Sequence, residues 1–149
     1  MGREDLIRYI ELFEAEILSI YKGEILKDIR KQSSFFSIFT GKHRQETIER
    51  LEYLKEKVIL IDPEKIEIDK EDVEAAKVKE LFGEVVTYFF GVCNAQIDFQ
   101  EFLIRKESKE PITVAEMNNI SSELTKNNVG MQDSIKAIRD IMIKQGVEK

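Results

Sequence analysis

The chain has 149 residues, with 23 Lys and Arg against 29 Asp and Glu for a net charge of −6, and it is 42% hydrophobic and 35% charged. These values describe a folded, mildly acidic chain of about one domain, residues 1–149, and exclude disorder, collagen and a disulfide scaffold. Two prolines and seven glycines are too few turn-makers for a sandwich or barrel of many short strands, so long helices are expected.

From Glu4 to about Lys31, apolar residues recur at Leu6, Ile10, Phe13, Ile17, Ile20 with Tyr21, Ile25 and Ile29, steps of three and four that place them along one side of a first helix. Gln32 to Lys42 interrupts the pattern: polar Ser33, Ser34, Ser37, Thr40 and Gly41 surround Phe35, Phe36, Ile38 and Phe39, which reads as a loop or short turn. A second helix resumes near His43 with Ile48, Leu51, Leu54 with Tyr53, and Val58 as its apolar side and stops at Asp62-Pro63, because proline disfavours a helical residue before it. Ile66-Glu67-Ile68 alternates like a strand but has no evident partner strand, so an extended connection is expected.

Asp69 and Asp72, with acidic residues through Glu74, suit the positive end of a third helix, running to about Lys106. Its middle, from Leu81 to Cys93, is apolar over more than one stripe, so both sides need cover. A buried strand is the alternative there, disfavoured because helical spacing continues through Phe99, Phe102 and Leu103. Glu110-Pro111 breaks the chain, and Thr113 with Glu116 makes a capping-box pair for a fourth helix. Met117, Ile120, Leu124, Asn127, Met131, Ile135, Ile138 and Met142 then follow heptad-like spacing. Asn127, Asn128 and Gly130 lie in the middle of it, so the choice is between one long helix with a polar layer at Asn127 and two helices meeting at a turn; one helix is preferred. The expected fold is an all-α antiparallel bundle of about four helices, three long and one shorter, with coiled-coil-like packing.

Catalytic chemistry finds little footing. A lone histidine, His43, near Glu46 and Glu49 is a poor transition-metal set, and its expected role is that of a surface residue in the first turn of the second helix. Cys93 cannot make an intrachain disulfide, and apolar neighbours Phe89, Phe90, Val92 and Ile97 make it a core residue rather than a nucleophile. Gly41-Lys42 lacks the upstream glycine and the following Ser or Thr of a phosphate loop. The EF-hand pattern is absent, and the negative net charge argues against a nucleic-acid-binding domain. The expectation is therefore a non-enzymatic chain with no cofactor and no metal, cytoplasmic by default because nothing calls for an oxidising compartment. The charged start Met1 to Arg8 reads as no secretion signal, and Leu6 stands where a myristoylation motif needs Ser or Thr.

Two surfaces remain. Lys27, Arg30, Lys31, Lys42 and Arg44, against Asp28 alone, flank Phe35, Phe36 and Phe39; basic residues around aromatics suit a membrane surface or an acidic partner, unless the aromatics fold back and plug the bundle end. Asp62 to Glu80, with eight acids against four lysines, reads as a solvated face. The broad apolar circumference of the third helix, at Val85, Val86, Phe89 and Phe90, points to self-association, with a homodimer as the expected assembly. The reading for function is an interaction or scaffold protein that self-associates, ahead of anionic-surface binding through 27–44 and of binding a small apolar ligand.

Overall fold

The computed structural model describes residues 2–34 and 41–144, and these form four helices with no strand among them. They are α1 (residues 2–34), α2 (Gly41–Ile59), α3 (Val73–Glu107) and α4 (Val114–Lys144), with a 3₁₀ turn at Pro63–Lys65 between α2 and α3. Side-chain pairs fix their directions. Asp28 with His43 (3.2 Å) and Glu24 with Arg50 (3.4 Å) run α1 and α2 antiparallel. Arg44 pairs with Glu107, and Lys55 Nζ lies 5.0 Å from the Phe90 ring centre, which does the same for α2 and α3. Arg105 with Glu116 (2.6 Å) and Glu84 with Ser134 (3.3 Å) repeat it for α3 and α4. The bundle is thus up-down-up-down, and α3 lies against all three other helices.

α1 is helical throughout but not regular. After Gly2–Phe13 it passes through two π-helical turns, Glu14–Leu18 and Tyr21–Ile25, closed by Ser19 N–H to Glu14 O and Leu26 N–H to Tyr21 O, and returns to α-helix over Leu26–Ser34. The apolar spacing explains this. Phe13, Ile17, Tyr21, Ile25 and Ile29 are all buried and follow at strict intervals of four, which in an α-helix drifts by about 40° per step and about 160° over the run. Each π turn admits one extra residue, and two of them bring the last side chain to about 40° on the other side of the starting direction. The stripe therefore stays on the core.

The connections follow local signals. Asp62 accepts from Glu64 N–H (3.1 Å) at the 3₁₀ turn, and the following Ile66 is buried in an extended connection. Asp72 is the N-cap of α3: it accepts from Ala75 N–H (3.1 Å) and from Arg3 of α1 (2.5 Å), and these bonds hold its carboxyl below the usual range. α3 ends in a Schellman motif, with Glu110 N–H on Arg105 O (2.9 Å), Lys109 N–H on Lys106 O (3.1 Å), and Lys109 at φ 60° where glycine is usual. Thr113 Oγ1 caps α4 by accepting from Glu116 N–H (3.0 Å). The Glu116 carboxylate bonds Arg105 across the hairpin, so half of the expected capping box is spent on tying α4 to α3.

α4 runs unbroken through Asn127–Gly130, and the reason is a reciprocal fit with α3. Tyr88 and Gly91 are three residues apart on one face of α3, as are Asn127 and Gly130 on α4. A methyl group on Gly130 would lie 2.5 Å from Tyr88 Cζ, and one on Gly91 would lie 2.2 Å from Asn127 Oδ1. Each glycine thus receives the large side chain of the other helix. Asn127 also bonds Glu123 O in its own helix (2.7 Å).

The core has two chemically different halves. Near the start of α1 and α3 it is apolar and aromatic: Phe13 meets Phe82 and Phe89 edge-on at 6.0 and 5.4 Å, and Tyr21 meets Phe89 edge-on at 5.6 Å. Toward the end of α3 it becomes polar, with buried Gln96, Gln100, Thr47 and Arg44. Gln96 Nε2 donates to Tyr21 Oη (3.0 Å). Neither amide atom of Gln100 has a hydrogen-bond partner among the described residues.

Candidate docking groove

The self-association surface expected from the sequence is not free. Val85 and Phe89 are fully buried in the core, and Val86 and Phe90 are half-buried against it, Phe90 beneath the Lys55 ammonium. α3 is apolar on several sides because α1, α2 and α4 cover it within one chain, so Val85 and Phe89 are closed to a partner, while half-buried Val86 borders the groove described below.

The basic end is corrected at one residue. Arg44 has a side chain only 4% exposed and pairs with Glu107, so it ties α2 to the end of α3 rather than facing outward. Lys27, Arg30 and Lys31 are exposed on the last turns of α1. His43 sits in the first turn of α2 as expected, half-buried beside Asp28. Phe35, Phe36 and Phe39 and the Lys42 side chain lie outside the described residues. α1 reaches Ser34 and α2 begins at Gly41, so residues 32–34 and 41–42 of the segment expected as a loop are helical.

Cys93 is buried, and the loss of solvent pushes its thiol up to about 12, which removes the thiolate that a nucleophile needs. Burial likewise pushes the Tyr21 hydroxyl up to about 12 against the opposing bond from Gln96. Among the described residues no three His, Cys, Asp or Glu side chains gather to hold a metal ion, and no helix is long and apolar enough to cross a membrane.

The opposite end of the bundle carries the surface that sequence reading passed over. Ile59 is 62% exposed and Leu60 83% at the end of α2, and Val73 is 74% exposed at the start of α3. Between the end of α2, the connection and the first half of α3 lies an open groove of about 1010 Å³. Val58, Ile61, Ile68, Val86 and Tyr88 give it an apolar floor, while Asp62, Glu64, Asp69, Glu80 and Glu84 rim it against only Lys70 and Lys79. The acid-rich stretch 62–80, expected to be a plain solvated face, thus borders apolar surface. One signal could have exposed it: Ile59, Leu60 and Ile61 are consecutive, and a helix end cannot turn three consecutive apolar side chains to one core. Only Ile61 is buried.

No protein family, curated protein or solved structure matches this chain. The functional reading therefore rests on the geometry of these surfaces.

Proposed function

We propose that the protein is a non-enzymatic bundle that associates head to tail, the acidic-rimmed groove of one copy receiving the basic end of the next at Lys27, Arg30 and Lys31. The observation that carries this is the juxtaposition of exposed Ile59 and Leu60 with a groove whose rim holds five acids against two lysines. Exposed apolar surface with a charged rim is what interfaces bury, and opposite charge steers the encounter. The chain's own basic residues, Lys27, Arg30 and Lys31, stand at the far end of α1; Asp28 there pairs with His43, and the groove begins at Val58, fifteen residues or about 22 Å further along α2. That distance makes a second copy the occupant. It also makes the contact heterologous, so copies add in series instead of closing as the two-fold dimer expected from the sequence. The buried Cys93 thiol supports the absence of a reactive centre, and residence in the cytoplasm belongs to the same proposal.

The test is light scattering coupled to size-exclusion chromatography across concentration, at low and high salt. A mass that grows with concentration and falls with salt is expected. Leu60→Glu or the pair Lys27→Glu and Lys31→Glu should return the protein to monomer, and mixing the two variants should restore only capped dimers. A salt-insensitive two-fold dimer, or a monomer throughout, overturns the reading.

A further inference from the structure

α1 and α4 are the most loosely joined neighbours in the bundle, and between their groove-end halves lies a separate cavity of about 130 Å³. Its floor is Phe13, Phe82, Val85, Ile135 and Ile138, all buried. Half-buried Ile7 and Met142 stand at its mouth, where Glu14 and Arg139 face each other at 3.9 Å across the two helices.

From this we infer that the cavity between α1 and α4 is a binding site for a small neutral apolar molecule, about the size of benzene. Three features carry the inference. First, the volume and lining match what such a ligand needs: an engineered cavity of about 150 Å³ lined by Leu, Ile and Phe in another protein stays dry and takes benzene or xenon. The floor offers no polar partner to hold water there, and interiors otherwise close up to crystal-like density. Second, the cavity begins where α1 leaves regular geometry. Phe13 and Glu14 line it, and Glu14 opens the π turn Glu14–Leu18; such bulges recur at functional sites. The inserted residue keeps both Phe13 and Ile17 turned inward, and thereby keeps the aromatic wall of the cavity in place. Third, the mouth selects the ligand's charge. Glu11 and Glu14 stand there against Arg139 alone, so a carboxylate head meets net repulsion while a neutral molecule enters without a charge to desolvate.

This site is a different surface from the proposed assembly groove, because the cavity opens between α1 and α4 and the groove lies between α2 and α3, and benzene binding is read without reference to assembly. The experiment uses the whole chain with benzene as probe and hexanoate as the charged comparison. The thermal midpoint and the methyl NMR signals of Val85, Ile135 and Ile138 are followed. Benzene at ten times its Kd should raise the midpoint by roughly 3–6 °C and shift those three residues' methyls. Val85→Ile adds one methyl to the floor and Met142→Phe narrows the mouth; each should weaken benzene at least about tenfold, the difference that 1.4 kcal/mol makes, while keeping the wild-type helical signal. Unchanged methyl signals and midpoint in the wild type overturn the inference, as does benzene binding that ignores both substitutions. Hexanoate binding more tightly than benzene overturns the assignment to a neutral ligand.

Discussion

Replacing Gly130 with alanine tests how α3 and α4 are held together. In an exposed helix interior the change should stabilise by about 1 kcal/mol, because glycine is the poorer helix former. Here the new methyl would stand 2.5, 2.6 and 2.8 Å from three carbons of the Tyr88 ring, whereas carbon atoms rest at about 3.5–4.0 Å. A rigid ring must move by about 1 Å, or the helices must part, and overpacking of this kind costs about 1–3 kcal/mol. The net expectation for Gly130→Ala is a loss of about 1–2 kcal/mol. Gly91→Ala meets Asn127, which is half-buried and can swing out by giving up its bond to Glu123, so its loss is smaller, about 0–1 kcal/mol. Gly83→Ala meets nothing within 4 Å and should gain close to the full 1 kcal/mol or so. Urea unfolding followed by circular dichroism ranks the three, with midpoints moving by about 2–4 °C per kcal/mol in parallel thermal scans. In a double-mutant cycle, Tyr88→Ala with Gly130→Ala should show a coupling above about 1 kcal/mol. Equal stabilisation by Gly83→Ala and Gly130→Ala would refute the interlock.

Lys109→Gly should stabilise by about 1 kcal/mol, since φ 60° strains a residue with a Cβ; an unchanged urea midpoint would argue against the Schellman end of α3. Gln100→Met removes an amide with no partner among the described residues and should raise stability by about 1–3 kcal/mol, whereas a loss of that size would show the amide to be bonded. Stability should fall at high pH. The Cys93 and Tyr21 acids ionise from 9.0 and 10.0 in the open chain but only near 12 when folded, so the unfolded state alone releases their protons between about pH 9 and 12. By pH 11 this amounts to about 4 kcal/mol. Urea midpoints at pH 8 and 11 test it, and Cys93→Ala should remove more than half of the difference.

Sequence periodicity was enough for the helix count, the unbroken α4 and the core positions, because burial of one stripe dictates 3.6-residue spacing. Two features needed the third dimension. Val85 and Phe89 read as an interface only until α1, α2 and α4 are placed around them. Arg44 reads as part of a basic patch, yet its partner Glu107 lies 63 residues away in the chain, beyond any local rule. The π turns were visible in principle: five inward residues at intervals of four exceed what an α-helix can keep on one side, and that drift is a quantity rather than a pattern of types. The groove was hidden for another reason. Its acids were legible, but an acid-rich stretch is usually only solvated, and what distinguishes this one is the apolar floor that α2 and α3 build behind it.

The division of the core gives the two proposed sites a common cause. The polar half makes directional bonds, Gln96 to Tyr21 and Arg44 to Glu107, that tie α1 and α2 to α3. In the apolar half the polar pairs Arg3–Asp72, Glu84–Ser134 and Glu14–Arg139 stand around an aromatic and aliphatic centre that is shaped by volume, so mismatches in volume collect there. Both the 130 Å³ cavity and the groove lie in that half, on either side of one stretch of α3: Phe82 and Val85 face the cavity, while Gly83 and Val86 face the groove. A side chain that fills the cavity therefore presses on the segment that floors the groove. If copies associate through the groove and the cavity takes benzene, Val85→Ile should change both the midpoint rise with benzene and the concentration at which association begins, whereas Met142→Phe, at the mouth and away from α3, should change only the first. Light scattering of the two variants side by side decides it, and identical association curves for Val85→Ile and the wild type would show that α3 insulates one surface from the other.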